Sequence, residues 1–322
     1  MVHALRNNKK IDVPKNKMHE SKLPMRKIVF VLGAPRSGTT WLQIMLSQNP
    51  EIETCQETHI FSSYLSPMKK AWEAHEENNR GIGLQAAISY DEFIYLQRNF
   101  SEYVFGKISK DSVVVEKTPA HIRHIEHILE IFPEAHFIHI IRDPRSVVNS
   151  LLAASRDWGK NWAAKDVIKN AELWVRDVEA GLQIPDFGKE NYYEVKYENI
   201  IERTDLELNK LFNWIGVYND INMCKKISED TEIKKLQKGN ISVSGMQKKE
   251  PKGFFRSGLA DSWKDELSYR DIALIETISS RLMKRLGYEM CSSGKTHFGN
   301  HIDWLRRGIA WRLQAMGRRL AD

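Results

Sequence analysis

Residues 28–42 read Ile-Val-Phe-Val-Leu-Gly-Ala-Pro-Arg-Ser-Gly-Thr-Thr-Trp-Leu, and this stretch decides the fold. The apolar run from Ile28 to Leu32 predicts a buried strand, which Gly33 and Pro35 end before helical periodicity resumes. A strand, a glycine-containing loop and a helix in this order direct several backbone N–H groups and the positive end of the helix at one spot. The stretch therefore predicts a binding site for an oxyanion.

The loop differs from the phosphate loops that bind nucleoside triphosphates. The spacing from Gly33 to Gly38 matches a Walker-type loop, but Thr39 stands where such a loop has its lysine. Arg36 is the cation inside this loop. Because a kinase or NTPase needs the lysine and a hydroxyl-bound Mg²⁺ to bind a triphosphate, the sequence disfavours a metal-dependent kinase.

An arginine inside the loop, followed by Ser-Gly-Thr-Thr-Trp, resembles the loop of the sulfotransferases. These enzymes transfer a sulfuryl group from 3′-phosphoadenosine 5′-phosphosulfate (PAPS) and need no metal. The resemblance implies that the loop binds the 5′-phosphosulfate and that the tryptophan lies against the adenine. The residues at these positions are Arg36, Ser37, Gly38, Thr39, Thr40 and Trp41.

Further apolar runs, each followed by helical patterning, predict parallel strands joined by helices. The runs are Ile28–Leu32, Val113–Val115, Phe137–Ile141 and Tyr192–Val195. Helices are predicted near residues 39–48, 84–106, 120–132, 144–155, 165–182, 198–215 and 269–287. The predicted fold is therefore α/β, a three-layer P-loop-like fold with a central parallel sheet flanked by helices. Residues 234–264 have weak periodicity and are predicted to form a long functional loop.

A second phosphate-binding motif follows the predicted strand Phe137–Ile141. Arg142 stands at the carboxyl end of this strand, where open parallel sheets bind ligands, and Ser150 follows in the next helix. An arginine fork and a hydroxyl can hold one phosphate from two directions. The run resembles the sulfotransferase motif for the 3′-phosphate of PAPS, which implies that both residues contact it. Taken alone, an arginine at a sheet edge and a buried serine are an equal alternative.

A third motif, residues 255–264, reads Phe-Arg-Ser-Gly-Leu-Ala-Asp-Ser-Trp-Lys and resembles the C-terminal nucleotide-binding segment of sulfotransferases. The resemblance implies that Arg256, Ser257 and Gly258 bind the 3′-phosphate. Since Ser257 replaces the family's lysine, we expect nucleotide binding to depend more on the arginine of the second motif. Tyr197 matches a nucleotide-contacting tyrosine in part of the family, and a core or edge tyrosine is an equal alternative.

Sulfuryl transfer needs a base near the acceptor hydroxyl and cations where charge builds on the leaving phosphate. Lys117, in Val-Glu-Lys-Thr-Pro, resembles the family's lysine at the leaving oxygen, and Arg36 is the second cation. The stretch Gln-Glu-Thr-His-Ile-Phe around Glu57 resembles a motif of the glycan sulfotransferases, and its distance from the loop fits the protein-tyrosine sulfotransferases. Glu57 is therefore the predicted base. The small-molecule branch has a histidine where this chain has Pro119, and His59 is the reserve base.

The charge of the 322-residue chain is concentrated at its ends. The net charge is +6, of which residues 1–27 carry +6 and residues 301–322 carry +3, so the remaining body carries −3. A basic surface for nucleic acid is therefore not expected on the body. The predicted organisation is a basic flexible tail at 1–26, a sulfotransferase domain at 27–290 and a basic amphipathic helix at 291–322.

The predicted C-terminal helix carries Trp304 and Trp311 opposite its apolar stripe, beside arginines. Such a helix could contact an anionic membrane surface or form a homo-oligomer; docking on its own domain is the alternative. Three widely spaced cysteines and a polar, lysine-rich N-terminus predict a cytoplasmic protein. The spacing of the histidines predicts no metal site.

Together these motifs predict a PAPS-dependent sulfotransferase that acts on an acceptor hydroxyl. The glutamate base and the amphipathic C-terminal segment favour a sugar or lipid-linked alcohol, and segments 60–110 and 155–190 are expected to shape its pocket. Two alternatives stay open. One is a metal-dependent P-loop kinase, and the other is a non-catalytic nucleotide-binding adaptor.

Overall fold

The computed structural model describes residues 27–77, 83–109, 111–238, 250–256 and 258–291. The predicted basic tail at 1–26, Ser257 and the chain from residue 292 onward lie outside these described residues. The predicted C-terminal helix and its membrane or partner contact therefore stay predictions.

Five parallel strands form the central sheet. The strands are β1 Ile28–Leu32, β2 Ile52–Thr54, β3 Val113–Glu116, β4 His136–Ile141 and β5 Tyr192–Lys196. Their spatial order is β2-β3-β1-β4-β5, and every neighbouring pair is parallel. The central strand is β1, where Phe30 is paired with Glu116 on one side and with Phe137 on the other. Four of the strands were predicted; β2 has three residues, too few for a recognisable pattern.

Helices lie on both faces of this sheet. Short helical turns connect some of the elements. The helices are α1 Thr39–Leu46, α2 Ser66–Glu77, α3 Tyr90–Ile108, α4 Ile125–Ile131, α5 Pro144–Arg156, α6 Val167–Gly181, α7 Tyr197–Glu202, α8 Thr204–Ile215, α9 Ile221–Asp230, α10 Ile233–Gln237, α11 Trp263–Glu266 and α12 Tyr269–Leu286. A π-helical turn covers Ile60–Leu65, and 3₁₀ turns cover Leu84–Ala86, Pro119–Arg123 and Ile184–Asp186. Within the described ranges, no helix combines the length and apolarity needed to cross a membrane.

The central strand explains why the sheet is covered on both faces. All five residues of β1 are buried. Val29 and Val31 pack into one hydrophobic cluster, whereas Phe30 and Leu32 pack into another. Because successive side chains of a strand point to opposite faces, a strand with no polar position needs a layer on each side. The predicted three-layer α/β arrangement is confirmed.

Two predicted helices are interrupted in the structure. The prediction at 84–106 is wrong at its start, because the long helix α3 begins after Ser89, which forms a capping box with Glu92. The prediction at 120–132 divides at His124, where φ is −129° and the backbone leaves the helical region. The first part is the 3₁₀ turn, and the second part is α4.

Two other segments also differ from the expectation. The predicted helix 198–215 divides at Arg203, where φ is −144°, into α7 and α8. The predicted loop 234–264 has a helix at each end, α10 and α11. The described part between them, residues 238, 250–256 and 258–262, has no regular helix or strand.

Candidate active site

The carboxyl ends of the five strands open into one cavity with a volume of about 860 Å³. Each strand is followed, within a few residues, by a side chain that lines this cavity. These are Arg36 after β1, Glu57 after β2, Lys117 after β3, Arg142 after β4 and Tyr197 after β5. Ligands of open parallel sheets bind at this edge. The structure therefore brings together residues that the sequence placed in separate motifs.

The loop between β1 and α1 is built around Gly38. Gly38 precedes the first turn of α1 with a φ of 102°, and a Cβ atom there would lie 2.6 Å from the ring of Tyr197. Only glycine fits this position. Thr39 and Thr40 begin the helix and line the cavity, so the unpaired N–H groups of its first turn lie at the cavity wall. The loop has the geometry that the oxyanion prediction requires.

Arg36 lies inside the cavity on the side of the second and third motifs. Its Nε donates to Ser150 Oγ at 3.0 Å, and its Nη2 donates to the carbonyl of Phe254 at 2.5 Å. Its guanidinium stacks 4.3 Å from the Phe254 ring and 5.1 Å from the Trp158 ring. Burial, and after it the charge of Arg142, lowers the pKa of Arg36 to about 10. This crowding of cations favours the binding of a polyanion, which would offset their mutual repulsion.

Arg142 joins the first loop to the third motif. Its Nη1 donates to the carbonyl of Arg36 at 3.3 Å, and its Nη2 donates to the carbonyl of Leu259 at 3.2 Å. Its guanidinium lies 4.0 Å from the centre of the Tyr197 ring, and the Tyr197 hydroxyl donates to the carbonyl of Gly258 at 3.3 Å. Tyr197 is thus a buried residue that also lines the cavity.

The described residues of the third motif reach the same cavity. Arg256 forms an ion pair with Glu266 and lines the wall. Gly258 has a φ of 73°, and a Cβ atom there would lie 2.5 Å from the Ile233 side chain, which explains the glycine. Trp41, predicted to lie against adenine, is buried at the cavity edge and donates its indole N–H to the carbonyl of Thr231 at 2.9 Å.

The two residues predicted for catalysis contact each other. Lys117 is 3% exposed and forms an ion pair with Glu57, whose side chain is 36% exposed. The other oxygen of Glu57 lies 3.4 Å from Nε2 of His59. The structure therefore places the predicted base between the predicted cation and the reserve base. Pro119 lines the same cavity.

The sequence did not reveal the buried carboxylate behind this pair, Glu116. Its Oε1 accepts hydrogen bonds from the hydroxyls of Thr58 at 2.7 Å and Thr118 at 2.6 Å, and its Oε2 lies 3.0 Å from Nδ1 of His121. Because Nε2 of His121 accepts from the backbone N–H of Phe61 at 3.2 Å, Nδ1 must carry the proton. The network connects the end of β3 with the segment after β2.

This network holds the two residues that follow Glu57. Burial would by itself raise the pKa of Glu116, but His121 and the two hydroxyls outweigh it and lower that pKa to about 2. The Thr118 hydroxyl also accepts from the backbone N–H of His59 at 3.3 Å. His59 has a φ of 51°, and Arg36 has a φ of 74°. Among the described residues they are the only non-glycine positions with positive φ, and both line the cavity.

No group of three or more potential metal-ligating His, Cys, Asp or Glu side chains occurs in the part of the chain that the structure describes.

A sequence profile of the sulfotransferase family matches residues 29–220, which are more than half of the chain. The chain belongs to the sulfotransferase family. Nodulation protein NoeE of Sinorhizobium fredii is 22% identical over 290 residues, which span 83% of this sulfotransferase and 67% of that protein. Protein-tyrosine sulfotransferase A of Caenorhabditis elegans is 23% identical over 267 residues, which span 81% of this sulfotransferase and 67% of that protein.

Solved structures share the fold of this sulfotransferase. The sulfotransferase domain of the Synechococcus PCC 7002 olefin synthase has a TM-score of 0.57 at 17% identity, over 83% of this chain and 98% of that chain. A mouse sulfotransferase, solved in complex with PAP, has a TM-score of 0.52 at 14% identity, over 80% of this chain and 84% of that chain. These similarities confirm the predicted P-loop-like fold. They favour neither the kinase nor the adaptor alternative.

Proposed function

We propose that this sulfotransferase moves a sulfuryl group from PAPS to an acceptor hydroxyl, a sugar or lipid-linked alcohol, by in-line displacement. One observation carries the proposal. A phosphate-type loop and two partly buried arginines, Arg36 and Arg142, share one cavity with the Glu57–Lys117 ion pair. Family membership and the PAP bound to the mouse protein of the same fold support this choice of donor.

The residues at the cavity fit a nucleotide with two anionic groups. Arg142 lines the cavity, and its buried Nε has no hydrogen-bond partner among the described residues, which suits a donor that serves a ligand. Ser37 Oγ is also buried and unpaired among the described residues, but Ser37 is not among the residues that line the cavity. The 5′-phosphosulfate would be held by Arg36, Ser37, Gly38, Thr39 and Thr40. The 3′-phosphate would be held by Arg142, Ser150, Arg256, Ser257 and Gly258. Trp41 and Tyr197 would contact the nucleoside.

In the proposed reaction PAPS supplies the sulfuryl group and leaves as adenosine 3′,5′-bisphosphate (PAP). Glu57 accepts the proton of the acceptor hydroxyl, whose oxygen forms a bond to sulfur as the bond between sulfur and the phosphate oxygen breaks. Lys117 and Arg36 donate hydrogen bonds where negative charge builds on that oxygen. His59 orients Glu57 or replaces it as the base. These cations neutralise charge as Mg²⁺ does in a kinase, so the proposed reaction uses no metal.

Nucleotide binding tests the donor. ADP has a 5′-diphosphate but no 3′-phosphate, so the arginines and Ser150 would lose their second anion. We expect calorimetry to show PAP binding at least about tenfold more tightly than ADP, because hydrogen bonds to charged groups are strong. Equal affinities would refute the proposal. A screen of labelled PAPS with alcohols, phenols, glycans and glycolipids, in EDTA, would then identify the acceptor.

Substitution of the paired residues tests catalysis. Removing one preorganised group costs about 10²–10³ in rate, so Glu57→Gln and Lys117→Met should each lower kcat by about this factor. Glu57→Gln should leave PAP affinity within about threefold of the wild-type value, because Glu57 acts on the acceptor hydroxyl. Lys117→Met should also weaken PAP binding, because the lysine donates to the leaving phosphate oxygen that PAP retains. Glu126→Gln, at an exposed position of α4, is the matched control. If neither substitution changes any measurable transfer, the result would favour a non-catalytic nucleotide-binding adaptor. Metal-dependent turnover of ATP would instead support a kinase.

A further inference from the structure

Two arginines on the cavity wall have no part in the proposed contacts with the nucleotide. Arg123 ends the 3₁₀ turn that begins two residues after Lys117, and Arg176 lies in α6; both line the cavity. The turn rises about 2 Å per residue, so Arg123 stays close to the end of β3. Because Lys117 is paired with the proposed base Glu57, this wall belongs to the acceptor side of the cavity.

The two arginines share one carboxylate, so the three side chains together carry one net positive charge. Asp177 is fully buried and accepts hydrogen bonds from Nε of Arg123 at 2.7 Å and from Nη2 of Arg123 at 2.9 Å. Nε of Arg176 donates to the same carboxylate at 3.3 Å. One bidentate arginine suffices to balance a buried aspartate. Arg176, whose side chain is 57% exposed, therefore adds a charge that the fold does not need.

An aromatic surface lines the same cavity, and its Trp158 packs against the same hydrophobic cluster as Leu173 of α6. Trp162 is 50% exposed, and its ring centre lies 5.5 Å from that of Trp158. Leu173, one turn before Arg176 in α6, and Ala120 also line the cavity. An exposed indole packs well against a flat apolar ring or the face of a sugar. The cavity thus offers both an apolar surface and the positive charge of Arg176.

We infer that Arg123 and Arg176 form an anion subsite for the acceptor, which carries a carboxylate or a phosphate beside a ring that packs on Trp162. The inference rests on the proposed function, because the subsite serves the acceptor of that reaction. A guanidinium fork binds either anion through paired N–H donors.

Three probes with one scaffold test the subsite. Phenyl β-D-glucoside, phenyl β-D-glucoside 6-phosphate and phenyl β-D-glucuronide differ in bearing a hydroxyl, a phosphate or a carboxylate at the same end of the sugar. Their affinities for the PAP-loaded protein can be measured by tryptophan fluorescence. We expect at least one anionic probe to bind about fivefold or more tightly than the neutral probe. The tighter of the two anionic probes identifies the preferred anion.

Substitution of Arg176 separates the subsite from the rest of the cavity. Arg176→Gln should abolish the advantage of the anionic probe, whereas Arg281→Gln, an exposed arginine paired with Glu179 outside the cavity, should keep it. Arg123 is not suitable, because its loss would leave the buried Asp177 without its bidentate partner. Equal binding of all three probes, or an advantage that survives Arg176→Gln, would overturn the inference.

The nucleotide provides the remaining control. Arg176→Gln should leave PAP affinity within about twofold of the wild-type value, since the arginine lies outside the proposed nucleotide contacts. A loss of PAP affinity equal to the loss for the anionic probe would assign Arg176 to the nucleotide and overturn the inference. A different measurement would reveal failure of the proposed function itself. In that case the wild-type protein would bind PAP and ADP with equal affinity.

Discussion

Replacing Glu116 by glutamine tests whether the buried carboxylate positions the proposed base. Glu116 accepts hydrogen bonds from Thr58, Thr118 and His121, and Thr58 adjoins Glu57. Glutamine keeps the size and one carbonyl oxygen, but its amide NH₂ would face the N–H of His121, a donor against a donor. We therefore expect Glu116→Gln to displace the segment that carries Glu57 and to leave the nucleotide contacts in place.

The magnitude follows from the geometry of the network. The hydrogen bonds of this network hold the pKa of Glu116 below 4.5, so the folded protein favours the ionised form. Because the folded pKa lies below the unfolded one, this stabilisation is complete above pH 4.5 and is lost as the pH falls towards 2. Losing a charged hydrogen bond and leaving a buried donor unpaired costs about 2–3 kcal/mol. Displacing a catalytic group by about 1 Å costs about 10²-fold in rate.

Denaturant unfolding at pH 7 and steady-state kinetics measure both effects. Glu116→Gln should lower the free energy of unfolding by about 2–4 kcal/mol and lower kcat by about 10- to 100-fold. The KM for PAPS and the affinity for PAP should stay within about twofold, which a general loss of folding would not produce. Glu126→Gln should match the wild type in all measurements. A Glu116→Gln variant with wild-type kcat would refute the positioning role.

Two further substitutions test other parts of the fold. In Gly38→Ala the new Cβ would lie 2.6 Å from the Tyr197 ring, so the loop would have to shift. Calorimetry should then show PAP affinity at least about tenfold lower than in the wild type. An unchanged affinity would contradict the claim that the loop needs glycine at this position. Burial lowers the pKa of His139 to about 3, so the folded protein keeps it neutral and loses stability as the pH falls below 6.5. The loss amounts to about 1.4 kcal/mol per pH unit, and His139→Gln should remove that part of the pH dependence of unfolding; a variant with the wild-type dependence would exclude this role.

The residues at strand ends were predictable from the sequence because of a general property of parallel sheets. Carboxyl ends of parallel strands share one edge, so Arg36, Lys117 and Arg142 could be placed together once their strands were recognised. Glu57 follows the very short strand β2, which the sequence pattern did not show. Its placement came from the resemblance to known sulfotransferases, and the structure puts it at the same edge.

The network behind the proposed base was not predictable, since its members are distant in sequence. Glu116 looks like an ordinary strand residue, and its contact with Thr58 crosses 58 positions of the chain. The capping box of Ser89 and Glu92, by contrast, is a local pattern that could have fixed the start of α3. The pair Arg123 and Asp177 likewise depends on packing between two elements, which no spacing in the sequence reveals.

The unusual backbone of Arg36 and His59 has a consequence for attempts to make this protein more robust. Left-handed conformations cost a non-glycine residue roughly 1–3 kcal/mol, and here both lie at the cavity. Glycine at either position would relieve that strain and remove a side chain that the proposed chemistry uses. Selection for thermal stability alone would therefore favour stable variants that have lost their catalytic activity. Thermal stability and turnover must be screened together.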